Sequence, residues 1–67
     1  MHPLKKLMVK HNLKITEFVR EYKLNYTPEF INYVVKGQRN LSKATAKDLS
    51  RATGIPAEVL MFPENYN

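Results

Sequence analysis

The chain predicts an all-α fold of five short helices, and three observations carry that expectation. Apolar residues recur at helical spacing in five separate stretches. Capping residues, prolines and glycines stand where helices begin and end. No stretch alternates for long enough to make a useful strand, and residues 38–41 are the only extended piece. At 67 residues the chain suits one small domain, residues 1–67. A domain of this size buries roughly 60% of its unfolded surface. No repeat, low-complexity tract or linker interrupts it.

The first helix is expected from Pro3 to about His11. Pro3 fits the first helical position, where a missing N–H costs nothing. Leu4, Leu7 and Met8 share one face, and Lys5, Lys6 and Lys10 lie off it. Asn12 tolerates a left-handed conformation and is the expected stop. The second helix is expected over residues 16–22, with Phe18, Val19 and Tyr22 inward and Glu17, Arg20 and Glu21 facing water. Leu13 and Ile15 come in from the preceding loop. Lys14 occupies the capping position, so Thr16 is the alternative cap.

The third helix has the clearest boundaries. Thr27 is its N-cap, Pro28 its first residue, and Glu29 suits the positive end of the helix dipole. Phe30, Ile31 and Val34 form its apolar stripe, and Gly37 ends it. Val34 and Val35 lower its intrinsic helicity by a few tenths of a kcal/mol each. Burying Ile31 and Val34 returns roughly 1.5–3 kcal/mol per side chain, so packing prevails. The fourth helix runs over residues 43–53, between Ser42 as cap and Gly54 as stop, with Ala46, Leu49 and Ala52 inward. A fifth, residues 56–61, opens at Pro56 and buries Val59 or Leu60. Residues 62–67 form a short tail in which Pro63 blocks further helix.

Composition removes several classes of function. Without cysteine there is no disulfide and no thiolate zinc site. His2 and His11 cannot close a metal site alone, and no cofactor is expected. No apolar run approaches the roughly 20 residues of a membrane span, and lysines interrupt the start where a secretory signal needs an unbroken apolar core. No nucleophile stands with a base and an orienting group, and no glycine-rich phosphate loop is present. An enzyme with a small-molecule substrate is therefore not expected. The net charge is +5, and it is unevenly placed. Residues 1–51 hold eleven Lys and Arg against Glu17, Glu21, Glu29 and Asp48, a net +7. Residues 52–67 hold only Glu58 and Glu64, a net −2. A basic body favours nucleic acid or another polyanion.

The second and third helices together read as a helix-turn-helix, residues 15–37. Its second helix, residues 28–36, is the one that enters a DNA major groove. That groove is about 12 Å wide and admits one helix. The apolar stripe of the third helix anchors it. Thr27, Glu29, Asn32, Tyr33 and Lys36 are the candidates for reading base edges. Asn32 can pair with adenine N6 and N7, Glu29 can accept from cytosine N4, and Tyr33 can meet a thymine methyl or a phosphate. Candidates for the DNA backbone are Gln38, Arg39 and Asn40 after the helix, Ser42 and Lys43 at the start of the fourth, and Lys14 and Thr16 beside the second.

These residues resemble the lambda-repressor-like (Cro, repressor or XRE-type) helix-turn-helix domains over about residues 4–61. LKKLMVKHNLKI is similar to the family's first helix and loop. Phe18-Val19 stands where the family has Leu-Ala, and Tyr22-Lys23-Leu24 where it has an apolar-Gly-apolar turn. VVKGQRNLS matches the end of its reading helix, and DLSRATGIPAEVL its closing segment. Two departures stand out. Lys23 replaces the turn glycine, which costs about 1 kcal/mol if that position is left-handed. The step from Leu24 to Ile31 is about two residues longer than usual, so residues 25–29 form a longer turn or extend the helix.

The resemblance implies a sequence-specific regulator of double-stranded DNA. In its small size the chain resembles phage or plasmid repressors of the Cro type, which implies work in the cytoplasm of a bacterial or phage-infected cell. The resemblance also implies a homodimer on a pseudo-palindromic operator. Met61, Phe62 and Tyr66 form an apolar patch near the C-terminus that either pairs two copies or caps the core. The alternative is a protein-interaction module of the same fold, acting on a repressor or polymerase, with Tyr26, Phe30 and Tyr33 as contacts. An excisionase-like DNA-bending factor shares the size and charge, but its winged arrangement needs strands.

Overall fold

The computed structural model describes residues 1–65. Five helices follow in order: α1 (Pro3–Lys10), α2 (Ile15–Glu21), α3 (Pro28–Val35), α4 (Lys43–Thr53) and α5 (Ala57–Met61). A single 3-10 turn, Pro63–Asn65, comes last. Among the described residues there is no strand, and residues 38–41 are irregular. The expected all-α class is what the chain adopts. α2 packs on α3, α4 on α5, and α1 on both α3 and α5.

Every helix contributes to one apolar core. Leu4 and Met8 come from α1, Phe18 from α2, Ile31 and Val34 from α3, Ala46 and Leu49 from α4, and Leu60 from α5. Leu41 joins them from the α3–α4 connection, only 8% exposed. Among the described residues no polar side chain is buried. Apolar burial of roughly 1.5–3 kcal/mol per large side chain is thus what holds the helices together.

Three helices end in the same way. After α1, the Asn12 N–H donates to the Val9 carbonyl and the Leu13 N–H to Met8. After α2, Lys23 donates to Arg20 and Leu24 to Val19; after α3, Gly37 donates to Val34 and Gln38 to Tyr33. Each is a Schellman closure, whose pivot residue is left-handed. The pivots are Asn12 (φ 54°), Lys23 (φ 52°) and Gly37 (φ 76°). Lys23 therefore carries the conformational cost that a β-carbon imposes there, about 1 kcal/mol. The extra residues of the α2–α3 step go into the turn, because Thr27 caps α3 and Pro28 begins it.

Several expectations need correction. Thr16 does not cap α2. Lys14 holds that position, and its N–H donates to the Glu17 carboxylate at 2.9 Å, so Glu17 is drawn in and half-buried. Ala52 is exposed and Thr53 half-buried, because residue 53 lies nearer than 52 to the line of Ala46 and Leu49 on a 3.6-residue helix. Phe30 is half-buried rather than part of the core. Pro56 caps α5 instead of opening it, and of Val59 and Leu60 it is Leu60 that is buried. Tyr66 of the suggested apolar patch lies outside the described residues.

Candidate nucleic-acid interface

The periodicity of α3 separates it into two faces. Ile31 and Val34 are buried, flanked by half-buried Phe30 and Val35. Glu29, Asn32, Tyr33 and Lys36 recur at i, i+3, i+4 and i+7, which aligns them on one stripe. Glu29, Tyr33 and Lys36 are exposed, and Asn32 is half-buried at the stripe's edge. Tyr33 keeps 51% of its surface in solvent. An α-helix with its side chains is about 10–12 Å across, which a major groove about 12 Å wide admits.

Four of the five base-reading candidates thus share one surface. The fifth, Thr27, has a different occupation. Its Oγ1 accepts the Phe30 N–H at 3.1 Å and closes the first turn of α3.

The backbone candidates divide into two groups. Lys36 through Asn40 are exposed without interruption, so Gln38, Arg39 and Asn40 continue directly from the stripe. Ser42 and Lys43 follow after Leu41 and are also exposed. Ser42 is engaged in its own helix: its Oγ accepts the Thr45 N–H at 3.2 Å and donates to Thr45 Oγ1 at 3.0 Å. Lys14 and Thr16 are exposed at the start of α2, on a separate element. A groove of about 370 Å³ opens beside the segment after α3, lined by Arg39 and Leu41 on one side and Leu60 and Phe62 on the other. Phe62 is 49% exposed there.

One feature of this surface went unread in the sequence. The Arg39 guanidinium carbon lies 5.3 Å from the centre of the Phe30 ring, within cation–π range. Phe30 stacks on Tyr26, with centroids 5.2 Å apart and planes 24° off parallel. The Tyr26 hydroxyl donates to Asp48 Oδ2 at 3.1 Å, which reaches α4. The available signal was an aromatic residue, Tyr26, just before the cap and four positions from Phe30, placed to pack on the first turn of α3.

His2 has a displaced pKa. It caps α1, its Nδ1 accepting the Leu4 N–H at 3.1 Å. Partial burial first, and the nearby α-ammonium second, hold its pKa below the ordinary value.

No helix among the described residues is long and apolar enough to cross a membrane. No family model, curated protein or solved structure matches the chain.

Proposed function

We propose that the protein is a sequence-specific regulator of double-stranded DNA, built on a helix-turn-helix of α2 and α3, with α3 in the major groove. One observation carries this reading. The exposed stripe Glu29, Asn32, Tyr33 and Lys36 runs without a break into the exposed segment of Gln38, Arg39 and Asn40. Hydrogen-bonding side chains suited to base edges are thereby joined to a cation, Arg39, and polar neighbours suited to phosphates. The net +7 over residues 1–51 supports it, since phosphate contacts supply most of the non-specific affinity for DNA. Such a regulator works in the cytoplasm of a bacterial or phage-infected cell. As a homodimer on a pseudo-palindromic operator it would pair through the exposed Phe62 and its neighbour Met61.

A salt titration of binding to duplex DNA tests the proposal. Log K should fall linearly with log salt, with a slope set by several released counterions. A preferred site should be bound at least about 10³-fold more tightly than generic duplex. Equal, weak binding to every duplex would remove the regulator reading.

A second reading is supported by a groove of about 330 Å³ between α1 and α5. Leu7, Ile55 and Val59 line it, with Lys6 and Lys10 at its side. That combination suits an acidic segment of a protein partner, such as a repressor or polymerase. Amide-shift mapping with DNA separates the two readings. Shifts on α3 and residues 36–40 belong to DNA binding; their absence, with protein-induced shifts on α1 and α5, belongs to the protein partner.

A further inference from the structure

Resting on the DNA reading of α3, the geometry points to Phe30 and Tyr26 as positioning residues that seat the Arg39 guanidinium for a phosphate. Residues 36–40 are exposed throughout. Their backbone is tied at Gln38, whose N–H donates to the Tyr33 carbonyl, and the chain returns to the core at Leu41. A long arginine on such a segment loses much rotamer freedom when it meets a ligand. A side chain already held near its bound position loses less.

The seat is built from both sides of α3. The guanidinium lies over the Phe30 ring, 5.3 Å from its centre, and a guanidinium held by a cation–π contact keeps N–H donors for a bidentate phosphate contact. Phe30 is in turn backed by the Tyr26 ring, and Tyr26 is fastened to Asp48 on α4. The turn before α3, its first turn, the segment after it and α4 are therefore joined through one chain of contacts that ends at Arg39. This gives a use to the longer α2–α3 step, since the added length brings Tyr26 to the position before the cap.

The first test needs no DNA. In the free protein the Arg39 Nε–H resonance should carry a ring-current shift. Phe30→Tyr should keep it, and Phe30→Leu should move it to the value of an unrestrained arginine. The second test measures duplex binding against salt for wild type, Arg39→Ala, Phe30→Leu, Phe30→Tyr and the Phe30→Leu/Arg39→Ala double variant, with thermal melts to confirm folding. Arg39→Ala should reduce the salt slope by about one. Phe30→Leu should weaken binding about two- to fivefold, the scale of an exposed cation–π contact, and Phe30→Tyr should restore it. The double variant should bind no worse than Arg39→Ala alone. An unshifted Arg39 resonance in wild type, or losses that multiply in the double variant, would overturn the seat. If wild type binds no duplex at all, the regulator proposal fails, while the resonance still decides whether Arg39 is seated.

Discussion

The two connections that flank α3 begin and end alike, and they are used in opposite ways. Each starts with a Schellman closure, at Lys23 or Gly37, and each finishes with a hydroxyl cap, Thr27 or Ser42. In the α2–α3 connection Leu24 and Tyr26 turn back at once and pack against the core. In the α3–α4 connection Lys36 to Asn40 stay in solvent, and the return waits for Leu41. The difference lies in the residue after the pivot. An apolar Leu24 favours burial, whereas a polar Gln38 favours water. The first connection fixes the direction of α3; the second extends its surface.

The largest effect should come from removing the return. Leu41→Ala takes away the buried side chain that ends the exposed segment. It should lower unfolding stability by about 2–5 kcal/mol, as measured by urea denaturation. A loss below about 0.5 kcal/mol would mean that the segment does not depend on Leu41.

Next come two changes on the surface itself, each expected to leave the melting temperature nearly unchanged. Asn32→Ala should cost about 1–3 kcal/mol of DNA binding at one base position and little elsewhere. Arg39→Ala should weaken binding to all sequences alike. If Asn32→Ala instead weakens every duplex equally, Asn32 is not reading a base.

The pivots offer a smaller and more direct comparison. Lys23→Gly should stabilise the fold by about 1 kcal/mol, because glycine adopts positive φ without a β-carbon clash. In a domain this small that raises the melting temperature by about 4–8 °C. Gly37→Ala should do the reverse by a similar amount. Its β-carbon would meet nothing within 4 Å, so only the φ of 76° opposes it. Unequal responses at the two pivots would show that the closures are not equivalent.

The smallest effect concerns pH. The folded pKa of His2 lies below its ordinary value, so the unfolded chain takes up the proton first as pH falls. The stability held by neutral His2 is complete above about pH 6.5 and is lost as pH falls through the lower folded value. His2→Asn replaces the Nδ1 acceptor with a capping oxygen that cannot titrate. Thermal melts between about pH 7.5 and 5 should therefore be flatter in that variant, and an unchanged pH dependence would exclude His2 as the source.

Helix ends were legible where the signal was local. Thr27-Pro28, Ser42 and Gly54 set the limits of α3 and α4, and Asn12 closes α1 as its tolerance of positive φ implies. What was not legible depended on tertiary demand. Lysine itself has no preference for a left-handed backbone, so only the resemblance to an apolar-Gly-apolar turn pointed to position 23; Lys23 adopts it because Leu24 must reach both the Val19 carbonyl and the core. The inward placement of Thr53 over Ala52 follows from the helix angle across two turns, which a short apolar list does not resolve. The stripe on α3 could be read from spacing alone. The seat under Arg39 could not, because it joins residues from a turn, a helix and a loop with Asp48 on α4.

Selection of bound sequences from a random duplex pool tests most directly whether α3 reads DNA. A DNA-reading α3 should enrich a defined site, with half-sites spaced by about one helical turn if the protein pairs, and the winner should be bound at least about 10³-fold more tightly than the starting pool. A pool that emerges from selection unenriched, bound no better than generic duplex, would contradict it.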